Sequence, residues 1–477
     1  MIAECRYCQS ELLPDAAFCV RCGLPTTDAC PGCDADVALA TAECAACHVP
    51  LLHCPGCGRT YTVQHIRCEN VDWNCEGTLL AEPCPSWGGL HASTHRTRSA
   101  TQMGNLAVER LGDAAWIFED ERYPILDVGV AYGRVYAWTP EWLLAFPTDL
   151  QPPQPPGGPG PFTFTASDPR VRRSERLAAA SRGYGAPAEM SVAWGQVCVL
   201  ATRQGGKPQV HCFRADDLEN GVVLDLEDAC SALPLPGGCL VWTRTDGVAE
   251  AHWIQLGATA PDHTVEVPAV PQPAYAPAAV HLGSEGAQVI YRGDDESVIH
   301  LRPPELAPQV VLPAAPPRRL GPVSTVGGHA YVLSGVGDAT EVHRFDLGSL
   351  SHDASEFRAD CDLILRGSGG RRFVHLPGER EWAVVRFDAW PVRLEPVRMK
   401  RPANEDLLQD VALEAGGQME ILALTRDAGR LDLRLLGPQG DRALGILDGA
   451  EARFVVAGPW LLSWTEGTPR LQAWRLA

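Results

Sequence analysis

From about residue 105 to the end of the chain, short apolar runs alternate with Gly, Pro and Asp turns, and no helical stripe of useful length occurs. The runs are nearly continuous rather than alternating, the pattern of strands covered on both faces. One short strand, entered from a glycine turn, recurs eight times: GRVYAW from residue 133, GQVCVLA from 195, GGCLVWT from 237, GAQVIYR from 286, GGHAYVLS from 327, GGRRFVHL from 369, GQMEILALT from 417 and GPWLLSW from 458. After the first interval these anchors stand 41 to 49 residues apart. The first interval is longer and holds QPPQPPGGPGP, which predicts an exposed loop. Another strand follows each later anchor after a turn (KPQVHCFRAD, AEAHWIQL, SVIHLRPP, TEVHRFDL, EWAVVRFD, RLDLRLLG, PRLQAWRL), and often a further one (GVVLDLED, HTVEVP, PQVVLP, RALGIL).

Four strands per unit of this length is the signature of a β-propeller blade. Eight anchors predict eight blades, with seven as the alternative. The last unit stops at its third strand, LQAWRLA, so the early stretch AAWIFED at 114–120 is expected to supply the missing strand and close the ring. Closure removes the free edges that invite aggregation. His211, His252, His300 and His343 recur at one third-strand position, where Arg386 and Arg434 stand in later units. A metal ring is the functional reading. Third strands lie far from the axis, one per blade, so equivalent positions cannot converge to ~2 Å ligation, and a repeat-consensus role is expected instead. The eleven tryptophans from Trp116 onward are read as blade-packing residues. One piece, GGHAYVLSG, is mildly similar to kelch and quinoprotein repeats.

The N-terminal fifth has a different texture, because 13 of the 18 cysteines fall between Cys5 and Cys84. Cys5 and Cys8 form a CxxC, and ten residues on Cys19 and Cys22 form another. Cys30 with Cys33 and Cys44 with Cys47 repeat that unit unchanged; Cys54 with Cys57 open a third copy whose later cysteines, Cys68 and Cys75, stand further apart. A CxxC turn sets two sulfurs on one side of a tight knuckle, and two facing knuckles make a tetrahedral cage of four sulfurs, with Zn–S near ~2.3 Å. Gly23 and Gly58 follow knuckle cysteines, where a positive φ lets the chain curl back toward the sulfurs. The ten intervening residues suffice for a short hairpin. A unit of about 20 residues cannot bury enough surface to fold unaided, so a metal must supply much of the folding energy. Dense cysteine also suits disulfides, but the start of the chain carries no basic and apolar leader. A thioredoxin-type pair would be a single CxxC near a βαβ pattern, and iron–sulfur spacings are tighter.

CRYCQSELLPDAAFCVRCGLP, with the knuckle Ala17-x-Cys19-x-x-Cys22-Gly23, resembles the zinc ribbons of bacterial and archaeal proteins, and CPGCDADVALATAECAACHVPL resembles the second half of a double zinc ribbon. The resemblance implies Cys5, Cys8, Cys19 and Cys22 on one Zn(II), and Cys30, Cys33, Cys44 and Cys47 on the next. Cys47 precedes His48 rather than glycine, a departure that bears on the turn and not on the ligands. In the third segment Cys54 and Cys57 make a good first knuckle. Its second half is Cys68 with Cys75, or Cys75 with Cys84, with His65 able to substitute; Cys68 and Cys75 are preferred, giving a third structural ion after the two of the double ribbon. The expected organisation is all-β: a double zinc ribbon over 1–48, a ribbon-like segment over 49–84, a polar linker over 85–104 and a propeller over 105–477.

The totals agree with a multidomain globular chain: 477 residues, 45% apolar and 21% charged. No run of 18 apolar residues predicts a membrane helix, and the cytoplasm is the expected address. The net charge is −19, and residues 1–100 hold six arginines, no lysine and eleven acidic residues, a poor footprint for nucleic acid. The five later cysteines, Cys198, Cys212, Cys230, Cys239 and Cys361, form no motif in sequence and are read as buried thiols. No catalytic signature such as GxSxG, HExxH or a phosphate loop is present.

Both module types usually bind. The expectation is a non-enzymatic scaffold or adaptor, with ribbons and propeller each engaging a protein partner. Proteins resembling double zinc ribbons imply a bacterial signalling or conflict setting. An enzyme with a site in the central channel, a hydrolase or lyase using residues such as Asp127, His281 and Arg366, is the alternative, and a nucleic-acid-binding ribbon protein the third reading.

Overall fold

Residues 27–30, 35–38, 51–53, 60–62 and 99–103, and most of the chain from 111 to 475, are described in the computed structural model, and among them there is no helix. Eight sheets follow one another from residue 116 to 475, and the expectation of eight blades rather than seven holds. They are numbered here as blade 1 (127–173), blade 2 (189–224), blade 3 (229–267), blade 4 (279–312), blade 5 (319–357), blade 6 (371–400), blade 7 (406–446) and blade 8 (452–475). The eight glycine-led anchors form the second strand in every blade but the sixth, whose first named strand is the anchor Arg371–Leu376. There the Asp362 N–H donates to the His375 carbonyl (2.9 Å), so the chain before the anchor still touches it.

Blade 3 shows the local logic. Ala229–Leu235, Gly238–Thr245, Val248–Gln255 and His263–Val267 pair antiparallel in chain order. Gly238 to Thr243 are all buried, on both faces of the strand, as the unbroken apolar run predicts. Thr245 and Val248 face each other across a two-residue turn, Asp246-Gly247, with φ of 52° and 86°. Positive φ at both positions is the type I′ hairpin turn, which Asp-Gly favours and whose twist matches the strands. Large rings fill the blades: Trp116, Trp138, Trp242 and Trp382 are fully buried. At ~150–250 Å² per ring, each stabilises the fold by on the order of 4 kcal/mol, as an upper figure.

The ring closes where the sequence places it. Trp116–Glu119 runs antiparallel to the last strand, Arg470–Arg475, with Phe118 opposite Leu471 and Trp116 opposite Ala473. The long first interval has its own use, which the loop reading missed. Beyond the Pro/Gly stretch, Phe162–Phe164 adds parallel to Trp116–Glu119 as a fifth strand of blade 8, before Arg172–Arg173 returns to the edge of blade 1. Blade 1 thus lends a strand to blade 8. The seam is aromatic: Phe146 of blade 1 lies 5.6 Å from Trp116, 5.8 Å from Phe118 and 5.3 Å from Phe164 between ring centres. At the axis, Asp127–Ala131 lies against both Glu189–Ala193 and Ala452–Ala457. Ser99–Met103, within the polar stretch before the propeller, runs parallel to Asp406–Ala415 in blade 7.

Candidate metal centres and the propeller rim

Two small hairpins stand in the cysteine-rich region. Thr27–Ala29 pairs with Asp36–Ala38, and Leu51–His53 pairs with Thr60–Thr62. Each brackets a CPGC loop, Cys30 to Cys33 in one and Cys54 to Cys57 in the other. The strands therefore flank each CPGC in sequence; most residues of the hairpin expected between knuckles lie outside the described residues. The two hairpins are bound to each other through Asp28. One of its carboxylate oxygens accepts the Ala29 N–H (2.8 Å), and the other accepts the Thr60 N–H (2.6 Å), 32 residues away. Cys30, Val37 and Leu51 pack together, each less than 5% exposed. Cys30 sits at the mouth of its hairpin, and its N–H donates to the Ala35 carbonyl (2.8 Å). A buried thiol at the start of a bracketed CxxC loop fits the donor set of a structural zinc site. The other predicted ligands, Cys5, Cys8, Cys19, Cys22, Cys33, Cys44, Cys47, Cys54, Cys57, Cys68 and Cys75, lie outside the described residues, as do His65 and Cys84.

The propeller holds a second group of sulfurs that sequence reasoning dispersed. Cys198 and Cys212 are directly opposed on the second and third strands of blade 2, and Cys239 faces them from the second strand of blade 3. Their Sγ atoms are 3.2 Å (Cys198 to Cys212) and 3.7 Å (Cys198 to Cys239) apart, and all three lie within 4.8 Å of one another. No other group of three or more potential metal-ligating side chains occurs among the described residues. Hydrogen bonds from Cys198 and Cys239 hold the Cys212 thiol well below the ordinary thiol range, and the bonds to Cys212 and Cys239, followed by burial, push Cys198 up. The signal was available in part. A hairpin centred between Thr202 and Pro208 places 198 opposite 212, whereas Cys239 arrives only through packing between blades.

The recurrent histidines do not converge. His252 sits between the Thr243 and Thr264 hydroxyls (2.8 and 3.0 Å), His300 bonds the Gln288 side chain (3.1 Å), and His343 bridges the Ser334 hydroxyl and His352 (2.8 and 3.0 Å). Each partner is a cross-strand neighbour in the same blade. Burial lowers the pKa of His211, His300 and His343 to about 4, so these rings are neutral, and those of His300 and His343 serve as hydrogen-bonding elements of the sheet. Of the channel residues, Asp127 begins the inner strand of blade 1, is fully buried, and accepts the Val128 N–H (3.1 Å). His281 lies on the inner strand Ala279–Gly283, and Arg366 is outside the described residues.

A cleft of about 520 Å³ opens at the rim between blades 7 and 8. The segment entering the propeller forms part of its wall: the Leu111 N–H donates to Leu444 (2.7 Å) in blade 7, and the Ala115 N–H to Ala473 (2.7 Å) in blade 8. Arg430, Arg470 and Ile446 line it. Ile446, at 53%, is the most exposed large apolar residue described. Arg430 is paired with Asp432 (2.9 Å).

Residues 5–48 match the double zinc ribbon family. No curated protein matches the chain. Among solved structures, the chain is similar to BamB from Moraxella catarrhalis (11% identity over 76% of this chain and 97% of that one, TM-score 0.48). It is also similar to the Dos1 propeller (8%, 79% and 94%, TM-score 0.43) and to oligopeptidase B from Trypanosoma brucei (11%, 58% and 45%, TM-score 0.39). The eight-bladed ring rests on the strand order itself. The chain is thus a double zinc ribbon fused to an eight-bladed β-propeller, and its N-terminal module is a zinc-binding one.

Proposed function

We propose that this metal-binding propeller protein is a non-enzymatic adaptor of the bacterial cytoplasm, in which ribbons and propeller each hold a protein partner. The observation that carries the reading is the rim cleft between blades 7 and 8. It combines a half-exposed isoleucine with two arginines and two aspartates, Asp113 and Asp432, a mixed apolar and charged lining suited to a polypeptide segment. Its wall is the segment by which the chain enters the propeller from the ribbon side. The titratable groups with the largest shifts in the blades support binding over catalysis, because the histidines among them are spent on bonds within single blades.

In this reading the ribbons are rigid presenters held by structural ions: Cys5, Cys8, Cys19 and Cys22 on the first, Cys30, Cys33, Cys44 and Cys47 on the second, and Cys54, Cys57, Cys68 and Cys75 on a third. The second bracketed CPGC loop, a close copy of the first, supports that third ion. The polar stretch ahead of Ser99–Met103, the strand that joins blade 7, links the two modules in this reading. The test is affinity capture with the full chain and with the Ile446→Asp, Arg470→Glu double variant, both positions being exposed and tolerant. A protein held by the wild type and lost at least tenfold by the variant supports the reading. A capture profile identical in both removes the cleft as the propeller's binding site.

A further inference from the structure

We infer that Cys198, Cys212 and Cys239 form a second kind of metal centre in this chain: a three-sulfur site for a thiophilic d10 ion, built into the interface between blades 2 and 3. It is independent of the adaptor reading and of the ribbons.

Geometry carries the inference. A point equidistant from three sulfurs with the observed separations stands roughly 2.0–2.4 Å from each, which brackets a zinc–thiolate bond of about 2.3 Å. The sulfurs need only small side-chain adjustments to share one ion. They are also held in place. Cys198 and Cys212 are fixed by the ladder of blade 2, with Val199 opposite His211 and Val197 opposite Phe213 on either side. Cys239 is presented by the turn after Leu235, and Gln196 of blade 2 grips that turn, its Nε2 donating to the Leu235 and Gly238 carbonyls (2.9 and 3.1 Å). Gly238 is required there, because a side chain would collide with the Ile254 carbonyl at 2.3 Å. Preorganised ligands of this kind bind without first paying to order themselves.

The chemistry narrows the ion. Three thiolates and no carboxylate or imidazole select soft cations, Cu(I) and Zn(II) foremost. The surroundings, Leu200, Val210, Leu224, Val241 and Ile254, are apolar and exclude hard, hydrated ions such as Mg(II). A cavity of about 100 Å³ lies against Cys212 and Cys239. It gives an entry path, and room for the water that Zn(II) would take as fourth ligand; Cu(I) is satisfied by the three sulfurs. Binding releases to solvent the S–H protons that Cys198 and Cys239 carry, so affinity rises with pH.

The test uses the full chain, prepared under anaerobic reducing conditions, with Cys239→Ser as the variant and Cys230→Ser as the control. Each protein is loaded with Zn(II) in one arm and Cu(I) in another, dialysed against a competing chelator, and its metal counted per chain. The ribbons contribute equally to all three. The expected result is one more ion in the wild type and the Cys230→Ser control than in Cys239→Ser, in the arm that names the ion. Iodoacetamide labelling of the wild type provides a second readout that does not depend on how the variant folds: the loaded ion slows alkylation of Cys212 at least tenfold. Equal metal counts in both arms with unchanged alkylation overturn the proposal. So does a Cys198–Cys212 disulfide found in the anaerobic protein, which would make the pair a redox couple instead of a ligand set.

Discussion

The chain handles cysteine in two ways. In the N-terminal region the sulfurs come in CxxC pairs, so local spacing alone sets each pair on one knuckle, and the fold around them is two three-residue-strand hairpins. In the propeller, three cysteines separated by 14 and 41 residues meet because strand register and blade packing bring them together. The order of cause is reversed. In the ribbons the metal must make the fold, since segments this short bury little; in the propeller the fold assembles the sulfur cluster before any ion arrives.

The sharpest way to test this contrast is to remove metal. A strong chelator is expected to abolish amide protection in the hairpins Thr27–Ala38 and Leu51–Thr62 entirely, since structural zinc supplies on the order of 10 kcal/mol, while the blades keep theirs. Hydrogen exchange followed by mass spectrometry reads both regions in one experiment, and equal loss in both would erase the distinction. Next in size is a change at the seam. Phe118→Ala removes a fully buried ring that stacks on Phe146 and packs edge-on to Phe164, and should cost about 3–5 kcal/mol of propeller stability. Denaturant unfolding would show it, with the zinc content per chain unchanged. Smallest per residue is the effect of acid. His300 and His343 titrate at about 4 in the fold, through burial first and then the nearby cations Arg302, or His352 and Arg318; unfolded, they titrate near ~6.5. Between those values the unfolded chain binds more protons, so their contribution is complete above about pH 6.5 and is lost as pH falls toward 4, by on the order of 2 kcal/mol each. Replacing His343 with Gln should flatten that part of the stability–pH curve.

Much of the propeller was legible because each blade repeats a local rule. A glycine turn followed by a two-faced apolar run is a second strand in every blade but the sixth, and an incomplete last unit requires a partner from elsewhere, which Trp116–Glu119 supplies. What stayed hidden was non-local. Nothing in QPPQPPGGPGP says that Phe162–Phe164 beyond it will join blade 8, since that depends on where the seam brings Phe146 and Trp116. The same holds for Cys239. Its neighbours in sequence are those of any blade strand, and only the contact with blade 2 gives it company. In the ribbons the knuckle spacing identified the module, whereas strands of three residues on either side of each CPGC are too short to leave a periodic pattern of their own.

The closing seam also has a consequence for how the protein is made. Blade 8 joins Trp116–Glu119 to Arg470–Arg475, so a strand synthesised early must wait for one synthesised some 350 residues later. At translation speeds of about 5–20 residues per second, the edge that will meet the last strand waits for tens of seconds on the ribosome. The borrowed strand Phe162–Phe164 emerges only shortly after it and pairs with it directly, covering one edge in the meantime. The loan from blade 1 thus acts as a nursery shield for the last joint of the ring.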